Sequence, residues 1–356
     1  MQRIKAKISL MLMLTALLSI VSIDLTASPL SVEKRKEVNH SFKVDNNSRL
    51  QIENKYGSIT ITHWNKKEVA IRVEIICKSN NEREAQEAID GITIEASKLG
   101  DLISAETNIR QTTMNNQSLN INYYLQMPAS LKSELSQKYG NIHLPEKDNH
   151  EMEIEMKYSN LQAGDFVAPL SLEAKYSNIE LGKLKEAELD IAYAGRASIE
   201  KAQKLEMESR YSSTKIGEVK YLNLNSKYDN ISINQIDKLT MELAYSEATI
   251  GSLCEELEAE ELSYSKMTIN SLSPSFKQFN VDARYGNVVV KLPTKASFRV
   301  IAENMKYSKC NIKDFKTEQT SSDKSNHSYI YEVNGGKQPT IYFNGNNYSN
   351  LKIKSE

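Results

Sequence analysis

The chain has 356 residues, 40% hydrophobic and 26% charged, a composition that fits a folded soluble protein and excludes a disordered tail, a collagen or a bundle of membrane helices. Forty-five Lys and Arg oppose 46 Asp and Glu, and the formal charge of −1 gives no field that would gather nucleic acid or an anionic membrane. Tyr is abundant at 18, against 13 Gly and 7 Pro, which points to a repeated structural task for Tyr.

Residues 1–28 open with Arg3, Lys5 and Lys7, continue through the apolar run Ile8 to Ile23, and end in the small residues Thr26, Ala27 and Ser28. That order predicts a secretory signal peptide. The run is about 16 residues, where roughly 20 are needed to span hydrocarbon, so the expectation is cleavage and export rather than a membrane anchor. Residues 29–37 read as a linker. Cys77, Cys254 and Cys310 are far apart and form no disulfide framework; Cys310 falls at an apolar position, where it would act as a small hydrophobe. The five His (40, 63, 143, 150 and 327) show no ligand spacing with these cysteines, and no metal site or cofactor is expected.

Residues 38–130 read as a β-rich cap. Alternating apolar residues predict strands over 41–44, 49–54, 68–77, 92–97, 101–107 and 119–127, and the segment from Asn80 to Ile89, stopped by Gly91, predicts one helix. Residues 107–118 are polar and loop-like. Such a cap would protect the exposed edge of the repeats that follow.

From there one phrase recurs: a Tyr, then a small residue, then often Asn. It occurs at Tyr56, Tyr139, Tyr158, Tyr176, Tyr228, Tyr285 and Tyr348, with degenerate copies at Tyr193, Tyr211, Tyr245, Tyr264 and Tyr307. Between Tyr139 and Tyr307 the copies follow one another at a nearly even spacing, most regularly from Tyr158 through Tyr176, Tyr193, Tyr211 and Tyr228 to Tyr245. Three and five residues after each Tyr stand apolar side chains, such as Ile179 and Leu181 or Ile231 and Ile233, and a larger hydrophobe often follows at eight, such as Phe166, Leu184 and Leu253. Upstream, the even offsets alternate in the same way, as in Leu172 and Ala174 before Tyr176. Period two on both sides means strands.

The inward parity changes from even before Tyr to odd after it, so the small residue and the Asn are expected to form a corner. Two short strands per repeat cannot bury their apolar side alone, and stacking buries it continuously with parallel pairing. Over 131–315 this predicts an all-β, parallel β-solenoid (β-helix) of about ten or more short coils, with right-handed winding favoured. The Ala-Gly-Arg after Tyr193 reads as a one-residue insertion absorbed at Gly195. Residues 316–356 read as a polar insertion, a hairpin and a terminal coil at Tyr348 that covers the C-terminal edge.

Even parity with Leu172 and Ala174 predicts that the twelve tyrosines point inward as a structural stack, each hydroxyl reaching a corner backbone group. Exposed at the corner, they would instead form a ladder able to stack on a glycan or peptide. Runs such as Glu151, Glu153 and Glu155 read as a solvated face, and no phosphate loop, GxSxG, HExxH or calcium nonapeptide occurs.

The order Leu50-Gln-Ile-Glu-Asn-Lys-Tyr-Gly-Ser-Ile-Thr-Ile-Thr-His-Trp64, strand, short acidic helix, Leu119 to Pro128, Lys138-Tyr-Gly-Asn-Ile and the Tyr-Ser-Asn copies resembles the "putative adhesin" family of exported β-strand-repeat proteins, a domain of unknown function from Gram-negative envelopes. The resemblance spans about residues 38–356. It implies an exported β-solenoid of the periplasm or cell surface, adhesin-like and without catalytic residues. The expected function is non-enzymatic adhesion or scaffolding with an envelope or host glycan or protein. A glycan-processing enzyme on the same scaffold and a self-assembling filament are the alternatives.

Overall fold

The computed structural model describes residues 32–110 and 117–356; the expected signal peptide and the middle of the 107–118 loop lie outside them. Alternating side chains make strand almost throughout, and among the described residues a single α-helix occurs, α1 (Glu82–Asp90). The Asn81 side chain accepts the Arg83 N–H to start it, and Gly91 donates its N–H to the Glu87 carbonyl to end it. Ala85, Ala88 and Ile89 are its buried side.

The N-terminal strands are β1 (Val32–Lys43), β2 (Arg49–His63), β3 (Glu68–Ser79), β4 (Ile92–Leu99), β5 (Leu102–Ile109) and β6 (Gln117–Met127). The two halves of β2, on either side of Tyr56, are widened by separate arms. The first half pairs with β5, which continues antiparallel into β4; the second pairs with β6, followed antiparallel by β3 and β1. Residues 32–37 are thus not a linker: they alternate in burial and pair with Ser79 back to Glu74 as part of β1.

Beyond them come β7 (Lys132–His143), β8 (Lys147–Asp148), β9 (Met152–Ala163), β10 (Asp165–Phe166), β11 (Leu170–Lys175), β12 (Asn178–Ala192), β13 (Ala197–Arg210), β14 (Ser213–Lys227), β15 (Asn230–Ala244) and β16 (Glu247–Ser263). β2 pairs in parallel with β7, and each later repeat pairs in parallel with the next at an offset of one repeat. Leu172 thus lies against Leu189, Leu189 against Met207, and Met207 against Leu224. In β14 the buried positions are Thr214, Ile216, Val219, Leu222, Leu224 and Ser226. The steps of three at Val219 mark bends in an otherwise alternating strand. In-register columns of like residues result, one of which runs Phe166, Leu184, Ala202, Val219, Ile236, Leu253, Leu272, all buried. The extra residue after Tyr193 is absorbed as expected, since Ile179 pairs with Ala197.

The C-terminal strands are β17 (Lys266–Leu272), β18 (Gln278–Arg284), β19 (Asn287–Leu292), β20 (Phe298–Glu303), β21 (Lys309–Ile312), β22 (Thr317–Asp323), β23 (Ser328–Val333), β24 (Thr340–Asn346) and β25 (Asn350–Ser355). The terminal copy does not cover the edge. β24 inserts between β18 and β20, and β25 between β19 and β21. Insertion buries Ile341, Phe343, Leu351 and Ile353, apolar area that an edge position would leave half wet. The antiparallel hairpin of β22 and β23 flanks β20 on its other side.

The corner lies one residue earlier than expected, at the Tyr itself. Eleven of the repeat tyrosines have φ between 49° and 64°, the left-handed region that costs a side-chain-bearing residue about 1–2 kcal/mol; Tyr307 is outside that set. One left-handed residue breaks the alternation, so Ala174 is buried, Tyr176 is exposed, and Ser177 is buried again. The buried residue after Tyr is small because it fills the inside of the corner. Where it is Ser, its hydroxyl satisfies the backbone of two neighbouring repeats. The Ser177 Oγ donates to the Lys175 carbonyl at 2.8 Å and accepts the Ser159 N–H at 3.2 Å; Ser212 and Ser246 repeat this pattern. Asp229 takes the position in one coil, accepting the Ser212 N–H at 2.6 Å and the Ser226 hydroxyl at 2.7 Å.

Two expectations follow from this hydroxyl relay. Ser177→Ala leaves the buried Ser159 N–H without an acceptor and is expected to cost about 1–3 kcal/mol in urea unfolding. A loss under about 0.3 kcal/mol would show that the relay is not structural. For Asp229, burial holds the carboxyl pKa above its ordinary 3.8 despite the hydrogen bonds that oppose it. The neutral form is therefore favoured in the folded chain, and the contribution of Asp229 to stability falls as pH rises from 3.8 through the raised value. Asp229→Ser is expected to gain on the parent between pH 3.5 and pH 7.5 in paired unfolding curves, and a pH-independent difference would contradict this.

Candidate functional site

Twelve tyrosines form one stack, in the order 56, 139, 158, 176, 193, 211, 228, 245, 264, 285, 348, 307, with centroids 4.7–6.2 Å apart and ring planes within 20°. The spacing is that of the parallel strands that carry them, about 4.8 Å. The inward placement expected from parity is wrong: Tyr176 is 46% exposed and Tyr348 61%. Left-handed backbone at eleven of the twelve turns the ring outward, an effect that counting residues in twos cannot register.

Exposure alone does not make these rings a platform. Each internal ring has both faces against its neighbours, so a sugar or peptide plane cannot stack on them, and only the ends of the row, Tyr56 and Tyr307, have a face without a tyrosine partner. Between the ends the ladder offers ring edges and a row of phenol hydroxyls.

The flanking rows follow from the same register. Immediately before the tyrosines stand Lys55, Lys138, Lys157, Lys175, Arg210 and Lys227, and the ammonium groups of Lys55, Lys157 and Lys227 lie 5.1–5.6 Å from the adjacent tyrosine centroid. Two residues after the corner, Asn141, Asn160 and Asn178 form an amide ladder with bonds of 3.0 Å, repeated by Asn287 and Asn350. Three residues before it, Glu155, Glu173, Asp190 and Glu208 occupy one column. Cations relieve the repulsion: Lys175 bonds Glu173, and Arg210 bonds both oxygens of Asp190 at 3.0 and 3.2 Å.

Farther along the same strands an open groove of about 450 Å³ is lined by Glu188, Asp190, Glu206, Glu208, Glu242 and Glu260, among others. Glu188 lies directly against Glu206, and Asp190 against Glu208. Sequence counting reads these as a solvated acidic face without assembling them into a concavity. It also misses a group in the interior: His63 is brought together with Asp148 and His150, which lie far along the chain from it. The signal was present in the step from Tyr139 to Tyr158, which is one residue longer than the step from Tyr158 to Tyr176. The extra residue shifts the register and turns Asp148 inward opposite Phe166. The three cysteines are free and do not meet.

No family model and no curated protein matches the chain. Solved structures to which it is similar include a "putative adhesin" from Parabacteroides merdae, with 9% identity, 90% of this chain and 96% of that one covered, and a TM-score of 0.38. Another is a "putative adhesin" from Parabacteroides distasonis, with 8% identity, 90% and 97% covered, and a TM-score of 0.37. A "putative lipid binding protein" from Parabacteroides distasonis has 11% identity, 90% and 97% covered, and a TM-score of 0.33.

The corner geometry sets an unusual order of substitutions. Tyr176→Phe keeps both stacks and is expected to change stability by under about 0.5 kcal/mol, whereas Tyr176→Ala loses two stacks worth roughly 0.5–1.5 kcal/mol each. Tyr176→Gly is expected to be more stable than Tyr176→Ala by roughly 0.5–1 kcal/mol, because glycine accepts positive φ at no steric cost, less the greater freedom of its unfolded chain. Thermal or urea unfolding that places Ala above Gly would contradict a left-handed corner.

Proposed function

We propose that the protein is an exported, non-enzymatic parallel β-solenoid, right-handed, that serves the envelope of a Gram-negative bacterium as an adhesin-like or scaffolding protein, at the periplasm or cell surface. The observation that carries this reading is the exposed, unbroken ladder of tyrosine hydroxyls, with a basic row on one side and an amide row on the other. Its repeat, about 4.8 Å, suits an extended, repetitive partner that meets the same donors coil after coil, such as an envelope or host glycan or an extended protein segment. Many weak, equivalent contacts supply avidity without a deep pocket. Among the described residues no helix is long and apolar enough to cross a membrane. The parallel columns and the one-repeat offset support the solenoid reading, and the apolar run before residue 28 supports export.

A second reading has its own observation. Glu188 with Glu206 and Asp190 with Glu208 put carboxylates on neighbouring strands of a groove, the kind of arrangement that glycoside cleavage uses. One experiment separates the two: purified protein probed against envelope and host glycans and proteins, with bound and cleaved products both scored. Saturable binding without turnover, weakened at least tenfold when Tyr158, Tyr176 and Tyr193 are all changed to Phe, is the expected result. The triple change removes hydroxyls while retaining the stack. Turnover abolished by Glu206→Gln would replace the adhesin reading with the enzymatic one, and binding indifferent to the triple change would move the contact surface off the ladder.

A further inference from the structure

The column from Phe166 to Leu272 is apolar in every repeat, but the strand pair before it puts Asp148 directly against Phe166. Asp148 is fully buried at 0% exposure and His150 is buried at 3%. Neither carboxylate oxygen of Asp148 makes a well-aligned hydrogen bond, and neither does His63 Nε2 or His150 Nε2, although His63 Nε2 stands within ion-pair distance of Oδ1. A buried carboxylate held by so little is strongly disfavoured unless a cation compensates it. Asp148 Oδ1 lies 3.1 Å from His63 Nε2 and 3.9 Å from His150 Nδ1, and one donor atom from each of the three residues falls within 4.8 Å of the others.

We propose that His63, Asp148 and His150 bind a divalent first-row transition cation, Zn²⁺ being the representative, in a site that clips the N-terminal strands to the first full repeat. Two imidazoles and one carboxylate are a donor set for such ions, with metal–ligand bonds of about 2.0–2.2 Å that small side-chain rotations reach from the present separations. The second shell fits as well. The Nδ1 of His150, the nitrogen nearer to Asp148, also lies 3.3 Å from the Ala129 carbonyl; a turn of the imidazole that presents Nε2 to the ion lets Nδ1 keep its proton on that carbonyl, the usual arrangement for a metal-bound histidine. With three protein donors, water completes a tetrahedron. The ligands come from the end of β2 and from the segment at β8, so the ion cross-links parts of the chain that are remote in sequence.

The test uses the purified protein after EDTA dialysis, titrated with ZnCl₂ by calorimetry and with CoCl₂ by absorption. The expected result is about one Zn²⁺ per chain, a rise in Tm of several degrees on loading, and a visible Co²⁺ spectrum of tetrahedral intensity. His63→Ala and Asp148→Leu are each expected to weaken binding at least 100-fold. Asp148→Leu restores the residue type that Leu184 supplies farther along the column, so that variant keeps its fold, which circular dichroism verifies. Zn²⁺ binding of equal affinity in both variants would place the metal on surface histidines and overturn the proposal. It would equally fail if the parent bound no Zn²⁺, whichever way Asp148→Leu shifted its stability.

Discussion

The structure depends on a single left-handed residue per repeat. Without it, an alternating strand would carry Tyr176 into the core and Ser177 into water, and every later side chain would face the wrong way. At Tyr176 the change of hand exposes the ring, buries the next hydroxyl and resets the parity, so that Ile179 and Leu181 are inward again. The cost of roughly 1–2 kcal/mol per corner is offset locally by ring stacking of about 0.5–1.5 kcal/mol and by buried serine hydrogen bonds of about 0.5–1.5 kcal/mol each. These magnitudes nearly cancel, which explains why an aromatic residue can hold a conformation that glycine adopts freely. The stack that makes Tyr tolerable exists only when neighbouring coils are also formed, so the corner is a cooperative device rather than a local turn signal.

The same regularity determines the chemistry of the surface. Register turns each sequence position into a column, so a charge in one repeat becomes a row of charges, and rows of opposite sign must alternate. The acidic column at Glu155, Glu173, Asp190 and Glu208 and the adjacent Lys175 and Arg210 meet this demand. Where the demand lapses, as around Glu188, Glu242 and Glu260, a negative groove remains. Inside the stack the rule is stricter, and Asp148 stands out because every other occupant of its column is apolar.

Much of this was legible in the sequence. Period two around a recurring Tyr is enough to give strands, parallel stacking and the insertion at Gly195, because those features depend on burial patterns that each repeat states again. The orientation of the tyrosines was not legible, since parity arguments assume extended backbone and Tyr is not a residue that announces positive φ. The contact of His63 with Asp148 was hidden for another reason: it depends on a one-residue register shift between Tyr139 and Tyr158, and on β2 pairing with β7 across the whole of the intervening N-terminal strands. The place of Tyr348 in the ladder, between Tyr285 and Tyr307, was hidden likewise, because a repeat phrase gives a coil its shape but not its neighbours.

That last insertion gives the molecule a direction in time. A chain that forms from its N-terminus can lay each coil from Tyr139 to Tyr285 onto the one before it, with contacts that reach back a single repeat. Residues 298–312 have no such neighbour to land on, since the strands that pair with them, β23, β24 and β25, come later in the chain. Even with the hairpin strand β23 beside β20, this segment has no seat on the growing stack until the final residues pass beneath it, so the last segment to arrive is the one that joins the stack to its end.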